Sequence, residues 1–297
     1  MILKSTGSGG SVALIAPASP FDTGLYDKGR DILEKAGYRT VPGESIFNTR
    51  GYLAGTDFER ARDLTDALLD PRIDAVICIR GGYGCGRLLP WIPFHSLADK
   101  PKIFLGHSDI TFLHLAFLSR MGWTTLHGPN ITGLADKPEA ADNVFKAIAG
   151  EVQFEWTLEP DQVLRPGSAK GPVIGGNLTC LTHLLGTPYL PDMTGALLLI
   201  EDCGEALYRL DRMLNHLKLA GILQKLAGIL IGEFVRCADY DKILEMIMEH
   251  VRYFDYPVLG GLPFGHGERN DVIPLGTPFL LDSHSHILRA IEAPIVA

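Results

Sequence analysis

The sequence predicts an α/β fold in which a parallel sheet carries helices on both of its faces. Short apolar runs of strand length alternate with longer segments of helical spacing through the first half of the chain, and glycine and proline mark the boundaries between them. The chain has 297 residues, of which 46% are hydrophobic and 21% charged. This composition is ordinary for a globular protein, and the length suffices for one large domain or two modest ones.

The elements of the first half follow from this alternation. Gly37 ends the first helical pattern and Pro71 signals the end of the second. A further helix follows the fourth strand. In chain order, we expect strands over 11–16, 39–41, 74–79 and 103–105, and helices over 26–36, 57–69 and 111–118.

The second half begins after a break in this rhythm. The segment 151–171 is polar, contains several prolines and glycines and has no apolar period, which predicts a linker. The chain is therefore expected to have an N-terminal domain over 1–150 with a Rossmann-like parallel sheet, and a smaller C-terminal α/β domain over 172–297. Beyond the linker, the predicted elements are strands over 197–200, 227–231, 258–259 and 279–281, and a helix that carries Leu207, Leu210, Leu214 and Leu217.

Charge and cysteine usage exclude several classes of protein. The formal net charge is −8 and no run of lysine or arginine suggests a face for nucleic acid. The longest apolar runs, such as 196–200, are too short to cross a bilayer, and residues 1–10 lack the apolar core of a secretory signal. Five irregularly spaced cysteines favour reduced thiols over a disulfide framework. We expect a cytoplasmic protein that binds neither nucleic acid nor membrane.

A serine between a strand and a helix is the leading candidate for a nucleophile. Ser108 lies in the segment GHSDI, directly after an apolar run and before a helical pattern. A tight strand-to-helix turn holds such a serine out from the sheet edge, and the amide of the next residue, Asp109, then points toward a developing oxyanion. The match to the G-x-S-x-G elbow is partial because Ile110 replaces the second glycine. The alternative is a serine that only caps the helix.

A serine nucleophile needs a base, and the base needs an orienting acid. Among the ten histidines, His266 has glycine on both sides and follows an apolar strand, so its backbone can approach another segment closely. The alternative is a glycine-rich turn that happens to hold a histidine. His284 and His286 have no acidic or cysteine partners at ligand spacing, so no metal site is expected.

The candidate acid is Glu201, at the end of the buried run over 196–200. The carboxyl edge of such a strand is where α/β sheets place functional groups. Glu201 could equally cap the helix that follows, and Asp202 competes for the same role.

A glycine-rich loop, RGGYGCG over 80–86, follows the third predicted strand. It resembles a phosphate cradle, but no lysine follows as a P-loop requires. We favour a second use, in which the amides of Gly81 and Gly82 contribute to an oxyanion hole beside Ser108. Cys85 in this loop is interpreted as inert.

Six segments in this order resemble the LD-carboxypeptidase family, the serine peptidases of family S66. The resemblance spans nearly the whole chain, and it is the order of the segments that makes it specific. The segments are VALIAPAS (12–19), RGGYG (80–84), GHSDIT (106–111), GGNL (175–178), ED (201–202) with YRLDR (208–212), and GH (265–266).

The resemblance implies a two-domain enzyme with the nucleophile in the N-terminal domain and the Glu and His in the C-terminal domain. Ser108 would be the nucleophile, Glu201 the orienting acid and His266 the general base. The amides of Asp109 and of the turn formed by Gly81 and Gly82 would bind the oxyanion. No cofactor or metal is expected, and the family suggests a homodimer. His107 stands where the family usually has another aromatic residue and is expected to alter the pocket wall.

The implied activity is hydrolysis of an L,D-peptide bond, typically the release of D-alanine from the murein tetrapeptide in cell-wall recycling. This substrate is anionic, whereas the protein is acidic overall, so local cations must hold its terminal carboxylate. The candidates are Arg80, Arg209, Arg212 and Arg269.

Two other functions stay open. One is a related amidase that cleaves peptidyl-adenylates of the microcin C type and confers self-immunity, which would need an aromatic side chain to stack on the nucleobase. Trp156 is the one tryptophan placed for that role. The other is a two-domain binding protein in which the glycine loops only hold a ligand.

Overall fold

A computed structural model describes residues 2–296 of the chain. Its first half follows the strand and helix alternation closely, and the helix over 57–69 has the bounds that its sequence pattern predicts. The strands are β1 (Leu3–Lys4), β2 (Ser11–Ile15), β3 (Arg39–Pro42), β4 (Ala75–Cys78), β5 (Ile103–Gly106) and β6 (Thr125–His127). The helices are α1 (Thr23–Lys35), α2 (Asp57–Leu69), α3 (Phe94–Leu97), α4 (Thr111–Met121), α5 (Ile131–Asp136) and α6 (Ala141–Ile148).

The second half contains a second set of elements. Its strands are β7 (Glu155–Thr157), β8 (Val163–Arg165), β9 (Ser168–Asn177), β10 (Leu197–Cys203), β11 (Gly228–Val235), β12 (Val258–Leu259), β13 (Ile273–Leu275), β14 (Pro278–Asp282), β15 (Ile287–Ala290) and β16 (Ile295–Val296). Its helices are α7 (Leu178–His183), α8 (Leu207–Leu219) and α9 (Tyr240–His250).

The first sheet is parallel from β3 to β6 and confirms the predicted α/β class. Its strand order is β13-β6-β5-β4-β2-β3, and within it only β13 runs antiparallel to its neighbour. β3 lies on one side of β2, whereas β4, β5 and β6 follow one another on the other side. The loops after β2 and β4 therefore leave the sheet on either side of a crevice at its carboxyl edge. Parallel α/β sheets bind ligands in such crevices.

Alternation along the strands explains why helices cover both faces of this sheet. Val12 and Leu14 of β2 pack with Leu33 of α1, whereas Ala13 and Ile15 belong to the cluster that contains Leu64 of α2. Successive side chains of a strand point to opposite faces, so an uninterrupted apolar strand needs a helix on each side. All five residues of β2 are buried accordingly.

The second sheet has a parallel centre and antiparallel edges. Its order is β7-β15-β14-β9-β10-β11-β12-β8, in which β9 to β12 are parallel. Because β10 and β11 end at the same edge, the residues that follow them lie close together. Cys203 of β10 is paired with Val235 of β11 at this edge.

The structure differs from the expected linker over 151–171. This segment contains β7 and β8 and the start of β9, all of which pair within the second sheet. β7 and β8 are the two edge strands of this sheet and none of their residues is fully buried, so they show no apolar period. The C-terminal part of the chain also returns to the first sheet, where β13 pairs with β6.

Within residues 2–296, no helix has the length and apolar character that crossing a membrane requires.

Helix α1 packs unusually closely on α5, which lines one side of the crevice. A methyl group at Gly29 of α1 would overlap with the carbonyl oxygen of Ile131 in α5. Gly29 is therefore required for this contact by space rather than by backbone conformation. In contrast, a methyl group at Gly133 of α5 would lie 3.9 Å from its nearest neighbour.

We expect Gly29→Ala to lower the free energy of unfolding by about 1–3 kcal/mol, because the added methyl group overpacks the contact between the helices. Gly133→Ala is the matched control, since it adds the same group to a helix where space is available. It should leave stability unchanged or raise it by up to about 1 kcal/mol. Urea unfolding of both variants measures the difference. Equal stabilities for both would contradict the proposed reason for Gly29.

Candidate active site

Ser108 lies at a strained turn between β5 and α4. Its φ is +67°, a left-handed value that non-glycine residues adopt rarely. Such strain persists where the surrounding structure holds it, and here one turn of 3₁₀ helix over Ser108–Ile110 leads directly into α4. The turn lifts the serine out of the carboxyl edge of the first sheet. This is the geometry that the GHSDI segment predicts.

The glycine-rich loop after β4 passes directly against this serine. A methyl group at Gly81 would lie 2.7 Å from Ser108 Cβ and 3.0 Å from its Oγ. Glycine is thus the residue that lets the backbone of the loop come this close. Gly82 has a φ of +111°, which other residues rarely adopt. The predicted neighbours of Ser108 therefore do lie beside it.

Two buried charged residues hold the glycine loop in place. Asp109 turns its side chain inward, where Oδ2 accepts a hydrogen bond of 2.7 Å from the amide of Cys85. Arg60 is almost fully buried, donates to the carbonyl oxygen of Gly84 at 3.1 Å and pairs with Asp57 at 2.6 Å. Burial raises the pKa of Asp109. Asp109 thus has a positioning contact in addition to the amide that the sequence singled out.

The thiol of Cys85 does not face the site. It is fully buried, and this burial raises its pKa well above the usual value, which disfavours the reactive thiolate.

Glu201 and His266 are hydrogen-bonded across 65 positions of sequence. Oε2 of Glu201 accepts a hydrogen bond from Nδ1 of His266 at 2.6 Å, and Glu201 is fully buried in β10. In the neutral imidazole the proton is on Nδ1, because a carboxylate only accepts, and Nε2 then carries the free electron pair. A methyl group at Gly265, whose φ is +113°, would lie 2.7 Å from the same Oε2. The glycine before His266 is what permits the approach.

Asp202, the competing acid, is occupied elsewhere. Its two carboxylate oxygens accept hydrogen bonds from the side chains of Asn177 and Thr179 and from the amides of Thr179 and Cys203, at 2.8–2.9 Å. Asp202 therefore fixes the start of α7 against the end of β10. The alternative that the sequence left open is decided by these contacts, because they leave Glu201 as the carboxylate that contacts His266.

A cavity of about 480 Å³ brings these groups together. Ser108 and His266 line it from opposite sides, together with Gly81 and Gly82. The first sheet and α5 form one wall, and the ends of β10 and β11 with the loop of His266 form the other. The cavity is large enough for a peptide of a few residues and is open to solvent.

The two histidines that line the cavity differ in the direction in which their pKa is shifted. Burial lowers the pKa of His266, but the charge and hydrogen bond of Glu201 outweigh this, so the pKa lies above its usual value of 6.5. Burial and the charge of His266 hold the pKa of His107 to about 3. His107 is thus neutral near pH 7, and its Nδ1 donates to the carbonyl oxygen of Gly128 at 3.1 Å. Its ring packs edge-on against His266, with the centroids 4.9 Å apart.

Of the four arginines expected to bind the terminal carboxylate of the substrate, one lines the cavity and three do not. Arg80 lines the cavity, but Arg209 and Arg269 pair with Glu205 and Asp271, at 3.4 and 2.6 Å. Arg212 packs over the ring of Tyr208 on α8.

Trp156 is part of β7, donates to Asp271 Oδ2 at 2.9 Å and packs against Phe264. It is absent from the cavity lining and is not positioned to stack on a ligand there.

Two cations in the cavity lining were missed by the sequence analysis. Arg236 follows the buried strand β11, so the rule that selected Glu201 at the end of β10 would also have found it. Lys137 follows the short helix α5, and its Nζ donates to the carbonyl oxygen of Gly267 in the loop of His266. Nothing in the local sequence around Lys137 indicates this contact.

Comparisons with known proteins show the family to which the chain belongs. Residues 12–128 match the LD-carboxypeptidase N-terminal domain and residues 170–281 the C-terminal domain of the same family. The chain belongs to the LD-carboxypeptidase family. A probable murein peptide carboxypeptidase of Bacillus subtilis is 40% identical, over 92% of this chain and 89% of that protein. The murein tetrapeptide carboxypeptidase of Pseudomonas aeruginosa is 36% identical, over 93% and 94%.

The fold is also similar to that of a solved structure outside the proteins named as carboxypeptidases. The wild-type apo structure of the microcin C7 self-immunity protein MccF superposes with a TM-score of 0.89 over 99% of both chains, at 23% identity. At this identity the likeness concerns the fold. The two-domain α/β architecture is thus shared, and the predicted fold class is confirmed.

We expect NMR titration of the imidazole resonances to give His266 a midpoint above 6.5 and to show His107 neutral until about pH 3. Glu201→Gln should lower the midpoint of His266, because burial then acts without the opposing carboxylate charge. Glu205→Gln is the matched control, since that carboxyl lies at the same sheet edge without touching His266. An unchanged midpoint in Glu201→Gln would show that the hydrogen bond does not set the pKa.

Proposed function

We propose that the protein is a serine carboxypeptidase that hydrolyses an L,D-peptide bond and releases terminal D-alanine from the murein tetrapeptide. The observation that carries the proposal is that Ser108 and His266 line one cavity and that His266 is hydrogen-bonded to Glu201, which is buried behind it. A nucleophile, a base and an acid that orients the base are the parts that acyl transfer by serine requires.

In this mechanism, Nε2 of His266 takes the proton of Ser108 as Oγ attacks the carbonyl carbon before D-alanine. Glu201 keeps the proton on Nδ1 and stabilises the imidazolium that forms. His266 then gives its proton to the nitrogen of the leaving D-alanine, and the acyl-enzyme remains. Water gives a proton to the same imidazole and attacks the ester carbonyl. The bond to Ser108 Oγ then breaks, the shortened peptide leaves, and the imidazolium gives its proton to Oγ.

The oxyanion is held by backbone amides in this proposal. The strained turn points the amide of Asp109 toward the reacting carbonyl, and the loop of Gly81 and Gly82 approaches from the other side. The inward hydrogen bond from Cys85 to Asp109 ties these two amide sources together. Their relative position therefore depends on one buried carboxylate.

The biological setting is part of the same proposal. Release of D-alanine from murein tetrapeptide belongs to peptidoglycan recycling, which places the enzyme in the cytoplasm. We also propose a homodimer, as the resemblance to the family implies. Helix α8 buries Leu210, Leu214 and Leu217 and leaves Tyr208 and Leu219 exposed, so its outer face is available for such a contact.

Cleavage of a peptidyl-adenylate is the competing activity, and the position of Trp156 argues against it. A nucleobase needs an aromatic surface on which to stack. Trp156 is hydrogen-bonded to Asp271 and packed against Phe264 and Phe279, so it is not available to a ligand in the cavity.

We expect the pure protein to remove one alanine from murein tetrapeptide, as followed by mass spectrometry. Ser108→Ala should lower the rate by at least about 10⁴-fold with the fold intact, because the nucleophile is lost. Ser96→Ala, which changes an exposed serine outside the cavity, is the control. Full activity of Ser108→Ala would exclude this nucleophile. Cleavage of a peptidyl-adenylate in place of the tetrapeptide would favour the amidase, and cleavage of neither would favour a binding protein.

Gly81→Ala should reduce kcat/KM on the order of 100-fold, because the new methyl group pushes the loop and Ser108 apart and small displacements of reacting groups are costly. Gly7→Ala is the matched control, since a methyl group there meets no atom within 4 Å. Kinetics with the tetrapeptide and circular dichroism of both variants separate this effect from unfolding. Unchanged kinetics in Gly81→Ala would remove the loop from the proposed oxyanion hole.

A further inference from the structure

Three cationic side chains line the cavity that contains Ser108 and His266, and they differ in what they already bind. Arg80 donates from Nη1 to the carbonyl oxygen of Pro20 at 2.6 Å. Lys137 donates to the carbonyl oxygen of Gly267. Both of these cations therefore have an oxygen acceptor from the protein. Arg236 is the third, and it has no such acceptor within residues 2–296.

The guanidinium of Arg236 is the least satisfied of the three. Its protein contact among residues 2–296 is a hydrogen bond of 3.1 Å from Nη2 to Cys203 Sγ, and no carboxylate pairs with it there. Sulfur is a weak acceptor, and a guanidinium has five N–H donors. Arg236 is exposed, so its remaining donors face the solvent of the cavity and can bind a ligand there without breaking an ion pair.

The backbone holds Arg236 in this position at a cost. Its φ is +54°, in the left-handed region where glycine or asparagine is usually found. The residue directly follows β11, and its contact with Cys203 reaches the end of the adjacent strand β10. The side chain therefore projects from the same sheet edge as Glu201, on the wall of the cavity formed by the second sheet.

The cavity needs such a cation if its ligand is anionic. The chain has a net charge of −8, and Asp136 and Glu268 also line the cavity, so the field of the protein repels a carboxylate. A guanidinium can bind a carboxylate through two parallel hydrogen bonds, which is stronger and more selective than a point charge.

We propose that Arg236 binds a carboxylate of the substrate and is a specificity-determining residue of this site. The proposal rests on the proposed peptidase function, and it concerns the two carboxylates that belong to the residues joined by the bond that is cleaved. One is the terminal carboxylate of D-alanine. The other is the side-chain carboxylate of a diaminopimelate at the third position, which a lysine at that position lacks.

The test measures binding by calorimetry to the Ser108→Ala protein, in which the peptide is not consumed. The three ligands are the tetrapeptide with diaminopimelate, the tetrapeptide with lysine, and the diaminopimelate peptide with a C-terminal amide. Each is compared in Ser108→Ala alone and with Arg236→Gln added. We expect Arg236→Gln to raise Kd about 10- to 100-fold for peptides that carry the recognised carboxylate, because a hydrogen-bonded ion pair is lost.

The pattern of losses identifies the carboxylate. If Arg236 binds the third-residue side chain, Kd rises for both diaminopimelate peptides and not for the lysine peptide. If it binds the terminus, Kd rises for both free acids and not for the amide. Arg236→Lys should recover part of the affinity. Arg252→Gln, which removes an equal charge from an exposed position outside the cavity, should change nothing.

Equal losses for all three peptides, or no loss for any, would overturn the proposal. A structural role alone would lower affinity without regard to the carboxylate. Failure of the proposed function has a separate signature. If the protein with Ser108 intact cleaves none of the peptides but binds them in a manner that depends on Arg236, the peptidase proposal fails and the carboxylate site stands.

Discussion

The hydrogen bond between Glu201 and His266 is the interaction on which the geometry of the cavity depends. Glu201 is fully buried, and its Oε1 has no hydrogen-bond partner among residues 2–296, so Oε2 bears the whole contact with the imidazole. A buried carboxylate is stabilised only if its partner stays in place. The orientation of the imidazole, and with it the direction of Nε2, is therefore set from inside the second sheet.

Close approach of backbones is what brings this pair to the serine. Gly81 and Gly265 lie at the two points where a side chain would collide, one with Ser108 and the other with Glu201. Both belong to loops that leave the carboxyl edges of parallel strands. The carboxyl edges of the two sheets can line one cavity only if the backbones of the loops between them approach closely. Glycine permits this approach because it has no side chain.

Charge in the cavity is divided between groups that stay neutral and groups that do not. Burial keeps His107, His114 and His127 uncharged near neutral pH, whereas Glu201 raises the pKa of His266. His107, which packs against the imidazole of His266, therefore does not compete with it for a proton. The cationic side chains of Arg80, Lys137 and Arg236 also line the cavity.

By itself, the sequence determined the type and approximate position of β2 to β5 and of α1, α2 and α4, because these depend on residues that are neighbours in the chain. The capping box of Thr56 and Glu59 starts α2, and the apolar run before Ser108 places the turn. The family resemblance also grouped Ser108, Glu201 and His266. The sequence pattern did not predict the edge strands within 151–171. Short, half-exposed strands have no hydrophobic periodicity of their own and take their conformation from the strands beside them.

Only the tertiary structure distinguished between residues that fit the same local sequence pattern. Glu201 and Asp202 are adjacent carboxyl residues, and only the four hydrogen bonds to Asp202 and the approach of His266 distinguish them. Likewise, many arginines are suitable for a carboxylate, but packing places Arg236 in the cavity and Arg269 beside Asp271. Such choices depend on contacts between residues far apart in the chain, which local sequence patterns do not encode.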